Sequence, residues 1–423
     1  MRRFYTWFAG WAVVLAMGSG LGAAASAAQP PLPPPVSVGP VEVKAVRWLA
    51  EGYNPVWGPD ESFFLLSHAG KGFSRYRADG TGEKRLGKET DRYGGLSPDG
   101  KSVLFHQTRQ GKSKHMRVPA GIGLMKSDGT GRRVISATAA YAAWSPDGRY
   151  FLCKNELSGP VAIYDRSGKV VRRLDYANGI PAWSGDGKYL AYVGKAGKIY
   201  LARGDGTAPK LADEPSGGET WAELWWSPKG HNLLYAWGGA YVKRPLCHVT
   251  PGGTPIELCD SVQRVEWSPT GDRAAAAFDG PICLFSFTTP QEPEMIAQLA
   301  APRGYKRCCW SGDGSHFVYS TEEGLWAVDK EGGEPEPVGR PEILRPRVAV
   351  PKTAGVLCYK LTSKGSSELW LADVARNEAA SVAPEGSLTC PSVTVAPSGR
   401  SMIGLFLGTD RARLLLLKIT RRT

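Results

Sequence analysis

Trp144-Ser145-Pro146-Asp147-Gly148 is a turn written in five residues, and its recurrence decides the fold. Pro fixes φ at the first corner, Gly takes the positive-φ corner, and Asp accepts hydrogen bonds from the backbone of the turn. The same pattern stands at Trp57-Gly58-Pro59-Asp60, Leu96-Ser97-Pro98-Asp99-Gly100, Trp183-Ser184-Gly185-Asp186-Gly187 and Trp226-Ser227-Pro228-Lys229-Gly230. It continues at Trp267-Ser268-Pro269-Thr270-Gly271, Trp310-Ser311-Gly312-Asp313-Gly314, a degenerate Val350-Pro351-Lys352, and Ala396-Pro397-Ser398-Gly399. Successive copies lie 39 to 48 residues apart. That is the period of a repeat made of four short strands.

Each repeat has one grammar. A short strand ends at the Trp, the turn follows, and an apolar strand such as Tyr189-Leu190-Ala191-Tyr192 runs back. A loop leads to a third strand such as Ile199-Tyr200-Leu201-Ala202. A second hairpin turn (Asp79-Gly80, Asp128-Gly129, Asp205-Gly206 or Gly252-Gly253) leads to the fourth. After Ala396 only three strands fit, whereas Val43–Glu61 matches Lys169–Gly187 position for position. The first strand therefore reads as an orphan fourth strand that completes the last repeat and removes the exposed sheet edge. The expectation is an all-β chain: a single closed β-propeller of four-stranded antiparallel blades. It has nine blades if the Val350 unit forms one, and eight if that unit is absorbed as a connection.

These units resemble the TolB-type, WD-like propeller repeat family, whose hallmark is this Trp-Ser-Pro-Asp-Gly turn before an apolar strand and an Asp-Gly hairpin. The resemblance covers residues 41–423. It implies a propeller that presents a binding surface. TolB itself carries an α/β domain ahead of its propeller. Only about a dozen residues separate the targeting segment from the repeats here, so the family's envelope-complex role is not carried over.

Residues 1–28 read as a secretory signal: Arg2 and Arg3, an apolar run from Phe4 to Leu21, and Ala25-Ser26-Ala27 for cleavage after Ala27 or Ala28. Residues 29–40 form a Pro-rich spacer, and no later segment is apolar enough to span a bilayer. A periplasmic or secreted location is expected. The 42% hydrophobic content allows a core, and 52 Gly with 32 Pro suit a turn-rich β chain. Net charge is +12, or +10 once Arg2 and Arg3 are removed. This basic excess attracts anionic partners. No Lys/Arg run or nucleic-acid motif accompanies it, so nucleic acid is not expected.

Eight cysteines occur without a C-x-x-C pair, which argues against zinc and thioredoxin-like chemistry. Cys247 and Cys259 lie symmetrically about Gly253 and are a disulfide candidate across one hairpin. A G-x-S-x-G elbow is missing, since Gly18-Ser19-Gly20-Leu21-Gly22 has Gly at its centre. The six His are dispersed. The recurrent Asp residues are turn acceptors, so no metal, cofactor or catalytic residue is assigned.

The Ser-Pro-Asp-Gly turns and Asp-Gly hairpins share one face. Loops between second and third strands, and between blades, share the other. On that face Lys71, Arg109, Lys112, Lys114, His115, Arg117, Lys154 and Lys195 read as a basic binding rim, or equally as solvated loops. The expected function is a non-enzymatic, monomeric binding or scaffolding propeller that engages an envelope protein or anionic polymer by its loop face. The alternative is a lyase, lactonase or glycosidase acting in the central channel. That needs acidic or His residues on the innermost strands, where Glu219, Glu223 and Glu266 are candidates.

Overall fold

A computed structural model describes residues 32–38, 40–49, 52–110, 117–155, 158–215, 221–238, 244–277, 281–289, 291–299, 307–339, 344–361, 367–382, 389–407 and 412–421. The targeting segment lies outside them. The turn acts as its residues dictate. Ser145 Oγ donates to Asp147 Oδ1 at 2.6 Å, the same Oδ1 accepts from Arg149 N at 3.0 Å, and Tyr150 N donates to Ser145 Oγ at 3.0 Å. Gly148 N closes the turn on Ser145 O at 2.9 Å, with Gly148 at φ 67°. The Ser97–Asp99, Ser184–Asp186 and Ser311–Asp313 pairs repeat the arrangement.

The strands form eight antiparallel sheets: six of four strands, one of five and one of seven. The seven-stranded sheet is two blades joined by one continuous strand, Val170–Trp183, which is fourth strand to one blade and first strand to the next. Nine blades result. We number them from the N-terminus: blade 1 spans 53–85, blade 2 91–136, blade 3 141–174 and blade 4 178–213. Blade 5 spans 222–259, blade 6 264–299, blade 7 307–337, blade 8 344–381 and blade 9 389–421. The weak unit does form blade 8. Its turn is rebuilt by Lys352 at φ 60° and by Thr353 Oγ1, which donates to Val350 O and accepts from Gly355 N, both at 2.9 Å.

Val41–Trp48 pairs with Ala412–Arg421 and supplies the fourth strand of blade 9. A fifth strand, Val36–Val38, pairs back on Val41–Val43. The sequence placed those three residues in the spacer, but Val36 and Val38 pack on the core of blades 8 and 9. Apolar clusters fill every space between consecutive blades. One joins blade 9 (Ile403, Leu414, Leu416) to blade 1 (Phe64, Leu66, Tyr76). Nine blades with nine interfaces form a closed ring, since an open row of nine has one interface fewer. At the closure Ser398 donates its N–H and hydroxyl to the Glu61 carboxylate.

The recurrent Trp ties blade to blade. The indole N–H groups of Trp226, Trp267 and Trp310 donate to Ala182 O, Trp225 O and Glu266 O of the preceding blade at 2.8, 3.0 and 2.9 Å. Each acceptor is an innermost-strand carbonyl, so the indole bond ties the blades together at the channel side. Among the described residues no helix is long and apolar enough to cross a membrane.

The expected Cys247–Cys259 bridge is corrected. A bulge between Leu246 and Cys247 shifts the register, so Cys259 stands opposite Leu246 and Cys247 opposite Glu257. A one-residue slip turns a side chain to the other face. Cys247 lies in the core between blades 4 and 5, Cys259 against that between blades 5 and 6, and both thiols are free.

Candidate functional site

The innermost strands can be compared position by position. In each blade, take the partner of the Trp-type residue on the second strand and move three residues along toward the loop face. The residue opposite is Tyr53 in blade 1, Arg92 in blade 2, Tyr141 in blade 3, Asn178 in blade 4 and Glu223 in blade 5. It is Arg264 in blade 6, Arg307 in blade 7, Arg345 in blade 8 and Ser392 in blade 9. All nine are polar. One step nearer the Trp, the residues are core: Ala142, Val265, Cys308 and Val393 are buried. The next residue outward is also buried in blades 2, 5 and 8 (Asp91, Ala222 and Leu344), so the polar position alternates with buried ones near the loop-rich end of the innermost strand.

Two observations show that these residues are neighbours and not merely equivalent. Arg92 donates to Tyr53 Oη at 2.9 Å across blades 1 and 2. Arg307 is held below the ordinary arginine range by burial first and then by the charges of Arg347, Arg264 and Arg345. Blades 6, 7 and 8 therefore present four guanidinium groups in one arc. Arg264 is neutralised within it: its Nε and Nη2 contact Glu266 Oε1 at 2.7 and 2.6 Å. Among the described residues Arg307, Arg345 and Arg347 have no carboxylate partner, and Arg345 Nε is buried without a hydrogen-bond acceptor. Such an arc holds oxyanions well, because the guanidinium fork matches a carboxylate or phosphate edge.

The acids of the ring are already committed. Glu223 is bound at 3.0 Å by Arg244, which is buried, spreads over Trp225 and also donates to Val262 O. Glu219 lies outside the described residues. Among the described residues no three His, Cys, Asp or Glu gather to hold a metal.

The residues singled out from sequence fare differently. Lys71 and Lys195 are exposed in the second-to-third-strand connections of blades 1 and 4, whereas Arg109, expected in a loop, is exposed within the second strand of blade 2, opposite Val118. Lys112, Lys114 and His115 lie outside the described residues, and of Arg117 only the backbone is described, in the strand Arg117–Lys126. Lys154 is corrected: it is 2% exposed, its ammonium donates to Ala177 O, and burial pulls its pKa down to about 8. It stands opposite Tyr141, inside the blade edge and not on the rim. Sequence reading missed the arginine arc. Its signal was Arg264-Val-Glu-Trp267 and Arg307-Cys-Cys-Trp310, an Arg three residues before the Trp in adjacent repeats.

The fold is similar to solved structures. The crystal structure of a eukaryotic initiation factor aligns with TM-score 0.54 and 12% identity over 90% of this chain and 88% of that one. The C-terminal WD40 domain of Sif2 aligns at 0.48 and 14% over 88% and 97%. The Dos1 propeller aligns at 0.48 and 10% over 76% and 91%. At these identities the likeness is one of fold. No protein-family model and no curated protein matches the chain.

Proposed function

We propose that this chain is an exported, non-enzymatic binding propeller that takes hold of an anionic partner at the loop-face mouth of its channel. The carrying observation is the arc of Arg307, Arg345 and Arg347, three guanidinium groups gathered without a carboxylate among them. Like charges drawn together and partly desolvated cost stability, and an oxyanion offsets that cost on binding. The secretory-type N-terminus supports a periplasmic or secreted location. The lyase, lactonase or glycosidase reading is less well supported: Glu223 and Glu266 are each tied to an arginine.

The test is fluorescence anisotropy with a labelled polyglutamate, titrated with salt. The double variant Arg307→Gln, Arg345→Gln should weaken binding by at least about tenfold, as expected for lost charge-assisted hydrogen bonds. The rim variant Lys71→Gln, Arg109→Gln, Lys195→Gln should change it less than about threefold. Equal losses in both would show that net charge and not the ring holds the ligand.

A further inference from the structure

We infer that the arc is built for an extended acidic peptide carrying carboxylates at alternate positions, the segment Glu/Asp-x-Glu/Asp-x-Glu/Asp of a protein partner. This rests on the reading of the mouth as an anion site and specifies its ligand.

The first ground is shape. The three matching arginines Arg264, Arg307 and Arg345 come from three consecutive blades at one register, so they follow the rim as a row. A row of like side chains supplied by separate blades suits a chain laid along it. The second ground is spacing. Packed sheets stand about 10 Å apart, and propeller blades converge toward the axis, so the steps along the inner rim are shorter than that. An extended peptide repeats its side-chain direction every second residue, roughly 6.7 Å. Carboxylates at alternate positions keep pace with the blades, whereas adjacent ones point to opposite sides.

The third ground is an internal example. Glu266 stands two residues from Arg264 on the same strand face and places one carboxylate oxygen against two guanidinium nitrogens, at 2.7 and 2.6 Å. A peptide carboxylate would repeat this on Arg307 and Arg345.

The experiment uses the whole protein with three probes of equal charge. They are the capped peptide Glu-Ser-Glu-Ser-Glu, the capped peptide Glu-Glu-Glu-Ser-Ser, and a trimer of galacturonic acid. Affinities are measured by calorimetry for the wild type, Arg307→Gln and Arg307→Lys. Thermal melts of each variant confirm folding. The inference expects the alternating peptide to bind at least about tenfold tighter than the block peptide or the sugar. It expects that margin to fall with Arg307→Gln. Arg307→Lys, which keeps the charge but loses the fork, should recover only part of it. If all three probes bind alike and Arg307→Gln weakens all alike, the peptide assignment is overturned and the anion site stands. If no probe responds to either variant, both fail.

Discussion

Replacing Arg307 by Gln should stabilise the protein while weakening its grip on anions. Arg264 is neutralised by Glu266, so Arg345 and Arg347 are the charges Arg307 feels in full. At about 10 Å, a like-charge pair repels by about 0.4 kcal/mol in water and about 1.7 kcal/mol at an effective dielectric of about 20. One half-buried neighbour, Arg345, and one exposed neighbour, Arg347, put the relief near 1 kcal/mol. Gln keeps part of the aliphatic stem, and any packing loss is independent of salt. The charge effect is not, because the screening length shrinks from about 30 Å at 0.01 M to about 3 Å at 1 M. Urea unfolding of wild type and variant at both salt concentrations isolates it. The variant should unfold later than wild type at 10 mM salt with the same m-value, and the gap should close by about 1 kcal/mol at 1 M. A variant less stable at low salt, or a gap that ignores salt, would refute the idea that the arc stores repulsion.

Trp310→Phe keeps a ring in the core but loses the indole hydrogen bond to Glu266 O, and should cost about 0.5–1.5 kcal/mol by urea titration. Trp267→Phe should cost a similar amount, since its indole makes the same bond to blade 5. Burial holds His248 neutral, its pKa pulled down to about 4 from an ordinary 6.5. The unfolded chain therefore takes up this proton near pH 6.5 and the folded one only near pH 4. The stability is complete above about pH 6.5 and is lost as pH falls toward 4, at up to roughly 1.4 kcal/mol per pH unit. His248→Gln should flatten that acid limb. Glu61→Gln weakens the latch to Ser398 and should lower stability by about 1–2 kcal/mol, without changing the strand content seen by circular dichroism.

The architecture was legible because its signal is local. Ser, Asp and Gly close the turn within five residues, so the same letters give the same turn wherever the chain goes. The orphan N-terminal strand was legible for the same reason: Val43–Glu61 repeats Lys169–Gly187, a stretch that includes the whole of the long strand Val170–Trp183. Val36–Val38 was not, because three residues after a proline run carry no period. They are a strand only by virtue of Val41–Val43 and the blade 8 core beside them. Cys247 and Cys259 misled by symmetry. Equal distances from Gly253 predict facing side chains only in a ladder without a bulge, and this one has a bulge at Leu246.

The ring was hidden by the same device. Counted back from the Trp-type residue, the ring position is three residues away in blades 6 and 7, at Arg264 and Arg307. It is four away in blades 2 and 8, at Arg92 and Arg345, because bulges follow Tyr93 and Pro346. No fixed column of the repeat contains all four. Polarity suits this position, which stays half-buried in blades 1 to 8. Charge is not required. Tyr53, Tyr141 and Asn178 meet the demand for solvation without net charge, at no cost in repulsion. That four arginines share the ring with one glutamate, three of them on adjacent blades with Arg347 beside them, goes beyond what folding asks of the position. The excess is what a ligand would explain, and its sign names the ligand as an anion.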